Sequence, residues 1–267
     1  MGEGTAARQR SKGTGGTAPG SLTATGPDGS PDRKPRKRPG PAPDRIGPHP
    51  DPMGPVPAPG GTARLNGMTR ALIVIDVQES FRARPLWKTI SDPRIADRVD
   101  RLVRLARAAG DLVVWVLHSE PGSGGVFDPA SGQVRLMAEL ERRDDEPLIH
   151  KTSHNAFTTT NLQQVLTGHG VREITVCGIR TEQCVETTAR VASDLGYRVV
   201  FAIDATATNP VAHRDAPADL GVDELLSDPR TLSAEEVIRR TEYALAGRFA
   251  TIATVAELEE AALQGAR

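Results

Sequence analysis

The sequence predicts a three-layer α/β/α sandwich around a mostly parallel, doubly wound sheet, with strand order about 3-2-1-4-5-6. Three observations predict it. Short, almost unbroken apolar runs such as ALIVID (71–76) suit strands covered on both faces, as in a parallel sheet. Between such runs lie stretches of helical apolar spacing, for example Ile95, Val99, Leu102, Val103 and Ala106. The two kinds of segment alternate, and right-handed crossovers then place helices on both faces of one sheet.

Each element has a local reason. ALIVID gives the first, central strand. Asp92 is placed to cap a helix that begins at Pro93 and that Gly110 ends. LVVWVLH (112–118) is the second strand, and a short helix around 133–142 precedes a third in PLIHK (147–151). A helix from Asn161 to Gly168 leads into the strand EITVCG (173–178). Val185, Ala189, Ala192 and Leu195 form the inward stripe of the next helix, and RVVFAID (198–204) returns to the sheet. From Ala205 to Leu232 runs a long polar connection of the kind that covers a site or an interface. SAEEVIRRTEYALAG (233–247) is a helix with a capping box of Ser233 and Glu236, followed by a short strand at FATIA and a helix from Val255.

The composition changes sharply near Met68. Residues 1–67 hold 13 Pro and 14 Gly, no Phe, Trp or Tyr, and 10 Lys and Arg against 5 Asp and Glu. Such a segment buries too little apolar surface to offset its ordering entropy, so it reads as a disordered basic tail before a domain of residues 68–267. A translation start at Met68 is the alternative. The run RKPRKR (33–38) could touch an acidic surface, but nucleic-acid contact is not expected, because a basic run in such a tail is usually solvated chain. No apolar stretch reaches the ~20 residues that span a bilayer, and no secretory h-region is present, so a cytoplasmic body without membrane contact is expected. Cys177 and Cys184 are spaced for neither a disulfide framework nor a metal knuckle, and both are expected to be reduced.

In a doubly wound sheet, ligands collect beyond the carboxyl ends of the strands where strand order reverses. Asp76 ends the first strand and Cys184 opens the helix after the fourth, so a 3-2-1-4 order brings them to one crevice. A helix N-terminus and a nearby cation, which Lys151 could supply, would lower a thiol pKa. Asp76 could move protons as base and then acid, and the N–H groups of Arg180 and Cys184 could receive an oxyanion. Bland readings stand beside these: Cys184 as a small core residue, Asp76 as a turn residue, Lys151 as a surface group. Cys177, inside a strand, reads as core.

The motifs IDVQ with Phe81 soon after it, KTSHNAF (151–157) and GIRTEQCVETT (178–188), in this order, resemble the isochorismatase-like cysteine hydrolases, whose members include nicotinamidases and N-carbamoylsarcosine amidases. The similarity covers about residues 70–255. It implies a triad of Asp76, Lys151 and Cys184, with a cis peptide between Ile179 and Arg180 beside an oxyanion hole at Arg180 and Cys184. Nicotinamidases of this fold hold a metal through a D-x-H pair and a further His, a spacing that His118 and Glu120 do not reproduce, so no metal or other cofactor is expected. Isochorismatases proper do not place a cysteine at the nucleophile position, so Cys184 points to amide chemistry.

The resulting expectation is a cysteine hydrolase of a small amide, carbamoyl or ureido compound, acting on C–N bonds other than peptide bonds. Phe81, His118, His154, Phe157 and Arg180 are candidates for the pocket, Arg180 either by its side chain or through its backbone alone, and self-association into a dimer or tetramer is expected from the resemblance. The alternatives are a vinyl-ether or ester hydrolase on the same fold, a non-catalytic oligomeric module whose tail binds nucleic acid, and a redox-sensing Cys184.

Overall fold

Strand β1 (Thr69–Ile75) alternates between two apolar environments, and that alternation builds the layers. Ala71, Ile73 and Ile75 face one core with Ile174, Val176, Val185 and Ala189, while Leu72 and Val74 face the other with Val99, Leu102 and Trp115. Successive strand side chains point to opposite faces, so a strand apolar at every position must be covered on both. The computed structural model describes residues 69–265. The expectations for the 1–67 tail, its 33–38 run and a start at Met68 fall outside the described residues.

The sheet has six strands in the order β3-β2-β1-β4-β5-β6, with β2 (Leu112–His118), β3 (Leu148–Lys151), β4 (Val171–Ile179), β5 (Arg198–Ala207) and β6 (Thr251–Ala253). Every pairing is parallel. Among the described residues seven helices accompany them: α1 (Glu79–Arg82), α2 (Ile95–Ala109), α3 (Leu162–Gly168), α4 (Glu186–Asp194), α5 (Val222–Ser227), α6 (Ala234–Leu245) and, after the last strand, α7 (Val255–Gly265). Apolar residues of α2 and α7 join the core on one face of the sheet, and those of α3, α4 and α6 join the core on the other. Among the described residues no helix is long and apolar enough to cross a membrane.

Local chemistry explains where the elements depart from expectation. α2 begins at Ile95 rather than Pro93, because Asp92 Oδ1 accepts from Arg94 N at 2.9 Å and its Oδ2 meets Arg98 Nε at 2.7 Å, closing a turn before the helix. Gly110 ends that helix in the left-handed conformation, as expected. No helix forms at 133–142. Leu136 instead bridges Gln78, and Met137 N donates to Val77 O at 3.1 Å, so this segment is drawn as an extended cover over the turn after β1. Leu195 is 42% exposed, one residue past α4, while Val185, Ala189 and Ala192 are buried. Part of the 205–232 connection is regular: β5 runs on to Ala207, and α5 lies within the remainder. The capping box of Ser233 and Glu236 forms at the start of α6.

Candidate active site

β1 and β4 are hydrogen-bonded neighbours from which the sheet grows in opposite directions, so a crevice opens beyond their carboxyl ends. Asp76 follows β1 at φ 56°, a left-handed conformation that Asp tolerates better than most residues, and its N–H donates to Val116 O at 2.8 Å. Opposite Ile75 stands Gly178, at φ 127°, where a Cβ would lie 1.9 Å from Ile75 O. Only glycine fits there. The next peptide bond but one, Ile179–Arg180, is cis. Beyond it Thr181–Val185 form a π turn, with Val185 N donating to Arg180 O at 3.2 Å, and Cys184 projects from this widened turn at the head of α4.

Asp76, Lys151 and Cys184 come together in the crevice. Lys151 Nζ lies 2.7 Å from Asp76 Oδ2 and 3.4 Å from Cys184 Sγ. Asp76 and Lys151 have no exposed surface, and Cys184 is 7% exposed. Lys151 and Asp76 thus form a fully buried ion pair. Burial pushes the Asp76 carboxyl above its ordinary range, with Lys151 and then Cys184 opposing that rise. Burial also pushes the Cys184 thiol up to about 12, reinforced by the Asp76 carboxylate and opposed by Lys151. This corrects the expectation of a depressed thiol: desolvation and a neighbouring anion outweigh the turn and the cation. The thiol therefore sits beside a buried carboxylate that can accept its proton. Such an arrangement can release the thiol proton to a carboxylate at the moment a carbon electrophile arrives.

Three supporting groups escaped the sequence reading. Gln78, fully buried, accepts from His118 N at 2.8 Å and donates to His118 O and Ser80 Oγ at 3.0 Å each, tying the turn after β1 to the end of β2. Thr188 Oγ1 donates to Cys184 O at 2.6 Å and accepts from Ala156 N at 3.1 Å, joining the Cys184 turn to the loop after β3. Phe127 stands edge-on to Phe81 and His118, with centroids 5.1 and 5.6 Å away. The signal for Gln78 was the motif IDVQ itself; Thr188 and Phe127 act through contacts that sequence spacing does not show.

The pocket candidates divide. His118 Nδ1 is 3.3 Å from Lys151 Nζ, and Phe81 reaches the same cluster through Phe127. His154 is exposed on the loop after β3, away from these contacts. Phe157 is core rather than pocket: Asn155 Oδ1 accepts from Phe157 N and Thr158 N, and the ring so turned inward stacks on Tyr197 at 6.1 Å. The N–H of Arg180 has no acceptor among the described residues. Cys177 is buried in β4, and burial alone raises its thiol. Among the described residues no three His, Cys, Asp or Glu side chains gather as a metal would require, and His118 Nε2 faces Glu120 Oε1 at 3.3 Å.

Known proteins with this pattern give the fold and site a context. The family described as "Isochorismatase domain" matches residues 70–219. A streptothricin hydrolase of Streptomyces noursei is 38% identical over 180 residues, which are 66% of this chain and 65% of that protein, just under two thirds of its length. Nicotinamidase 3 of Arabidopsis thaliana is 31% identical over 156 residues, covering 54% of this chain and 75% of that one. The crystal structure of an isochorismatase from Pseudomonas putida KT2440 superposes with a TM-score of 0.61 at 29% identity, over 73% of this chain and 93% of the other.

Proposed function

The chain belongs to the isochorismatase family of hydrolases, and on that premise we propose that it is a cysteine amidohydrolase, cleaving a small amide, carbamoyl or ureido compound through a thioester on Cys184. The observation that carries this reading is the buried contact of Lys151 Nζ with both Asp76 Oδ2, at 2.7 Å, and Cys184 Sγ, at 3.4 Å. A vinyl-ether hydrolase has no need of a thiol at that point.

The steps follow from the site. Asp76 takes the Cys184 proton as sulfur attacks the carbonyl carbon, and the N–H groups of Arg180 and Cys184 receive the oxyanion. One such donor is worth about 10²–10³ in rate. As the C–N bond breaks, Asp76 returns the proton to the leaving nitrogen. Water then enters, loses a proton to Asp76 and attacks the thioester; Asp76 gives the proton back to the departing sulfur. Lys151 stays an ammonium throughout and limits the cost of charge on Asp76 and on sulfur.

The test is release of ammonia or amine from a panel of small amides, ureides and hydroxamates, with streptothricin included because a relative is named for its hydrolysis. On a substrate the native chain turns over, Cys184→Ala should lose at least about 10³ in kcat. Native protein quenched during turnover should carry the acyl mass on the Cys184 peptide. Near-native rates in Cys184→Ala would overturn the covalent mechanism.

A further inference from the structure

His118 and Glu120, whose spacing does not suit a metal, stand together beside Lys151. His118 closes β2 and is the register partner of Lys151 in β3, so the two side chains leave the sheet on the same face. His118 Nδ1 lies 3.3 Å from Lys151 Nζ, and its Nε2 lies 3.3 Å from Glu120 Oε1. The residue is fastened on several sides. Gln78 holds both its N–H and its carbonyl, at 2.8 and 3.0 Å. The Phe127 ring meets the imidazole edge-on at 5.6 Å, and Phe127 O accepts from Glu120 N at 2.8 Å. No step of the proposed cycle uses this imidazole.

The protons of Lys151 give it one. An ammonium donates three hydrogen bonds and accepts none. Four acceptor atoms surround this one: Asp76 Oδ2 at 2.7 Å, Ser153 O at 3.2 Å, His118 Nδ1 at 3.3 Å and Cys184 Sγ at 3.4 Å. The contact of 3.3 Å between Nζ and Nδ1 requires a lone pair on Nδ1, because a proton there would set two donors face to face. Glu120 favours that tautomer by accepting the Nε2 proton. With two N–H groups taken by Ser153 O and His118 Nδ1, the third lies between carboxylate and sulfur. When the Cys184 S–H bond breaks and an O–H bond forms on Asp76, negative charge passes from oxygen to sulfur. The third N–H can follow it, turning from Oδ2 to Sγ and back while the other two hold Nζ in place.

We propose that His118, oriented by Glu120, is a positioning residue for Lys151: its Nδ1 takes one ammonium proton, so that another stays aimed between Asp76 and Cys184. This deepens the cysteine hydrolase reading and rests on it. His118 neither gives nor takes a proton in the cycle. A leucine in its place would fill the space but leave a buried N–H of Lys151 without an acceptor, whereas the amide oxygen of an asparagine can stand near the position of Nδ1 and take that proton.

Iodoacetamide tests the role without a known substrate. The Cys184 sulfur displaces iodide to form a thioether while its proton passes to Asp76, and the rate is read by mass spectrometry of the Cys184 peptide. Cys177, buried in β4, reports in the same digest whether the fold has opened. His118→Leu should slow Cys184 by about tenfold, the loss of one hydrogen bond to a charged group, with Cys177 unmodified. His118→Asn should recover to within about threefold of the native rate, and Glu120→Ala, which removes a half-exposed carboxylate, should lose no more than about threefold. A native rate in His118→Leu overturns the role, as does a His118→Asn rate no better than that of His118→Leu. Where Cys177 reacts as well, the substitution has opened the fold, and the native ring decides. Heteronuclear NMR of the His118 ring nitrogens should find Nδ1 bare and Nε2 protonated; a proton on Nδ1 overturns the proposal. These outcomes remove the role of His118 alone, whereas near-native hydrolysis by Cys184→Ala removes the cysteine reading and this role with it.

Discussion

Asp76 has to accept a proton at the start of each half-reaction in the proposed cycle, so the pH at which it ionises sets the acid limb of activity. Its complete burial raises that pH above the ordinary carboxylate range, and the Lys151 ammonium opposes the rise without cancelling it. The carboxylate is the working form, so kcat/KM should fall as pH drops through a value above 3.8, higher than an exposed Asp would give. A pH profile on any hydrolysed substrate checks this; a limb at or below 3.8 would contradict it. Asp76→Asn is the informative variant, because Asn also tolerates the φ of 56° and leaves the turn in place. It should lower kcat by about 10² or more, since it removes the proton acceptor at nearly constant shape. Asp76, Lys151 and Cys184 were legible because each stands at a strand end within a recognisable run of residues. Thr188 was not, because a hydroxyl bridging two loops exists only once distant segments meet. His154 and Phe157 misled for the same reason: a motif gives proximity along the chain, and an Asn155 turn decides which side chain goes in.

The carboxyl ends of β1 and β4 depend on backbone atoms approaching more closely than any side chain permits. Gly178 allows this, at a φ of 127° and with a notional Cβ 1.9 Å from Ile75 O. Gly178→Ala must therefore push β4 away from β1 where Asp76 and the Cys184 turn depend on that contact. It should abolish activity and cost several kcal/mol, seen as insoluble expression or a large drop in Tm. Gly168→Ala, at the end of α3, is the control: nothing lies within 4 Å of its added Cβ, and Ala has the better helix propensity. It should melt at the native temperature or slightly above. If the two variants melt alike, the close approach is not what holds this end of the sheet. Glycine at 178 could be read from the sequence as a residue ending a strand, but its reason lies in the neighbouring strand. The helix expected at 133–142 failed similarly, because pairing with Gln78 and Val77 outweighed a weak local preference.

Across the whole molecule the apolar pattern was the most legible feature. β1, β2 and β4 are central and covered on both faces, so their sequences are almost continuously apolar, and the order of the sheet follows from right-handed crossovers. That same double cover gives the molecule a pH-dependent weakness. Both cysteines are buried on β4 or just beyond it, and burial raises both thiols, Cys184 to about 12. An unfolded thiol ionises near 9, so above that pH the unfolded chain releases protons that the native chain still holds. Stability contributed in this way is complete below pH 9 and is lost as pH rises towards about 12, at up to about 1.4 kcal/mol per pH unit for each thiol. Urea unfolding at pH 7.5 and at about pH 10.5 should therefore show a larger loss for the native chain than for Cys177→Ala or Cys184→Ala, and the smallest for the double variant. At pH 7.5 Cys184→Ala should lie within about 1 kcal/mol of the native chain, because it removes one sulfur from a partly polar crevice. Equal alkaline losses in all four proteins would mean that other groups govern the decline, and that these thiols are less buried in solution than their place in the sheet requires.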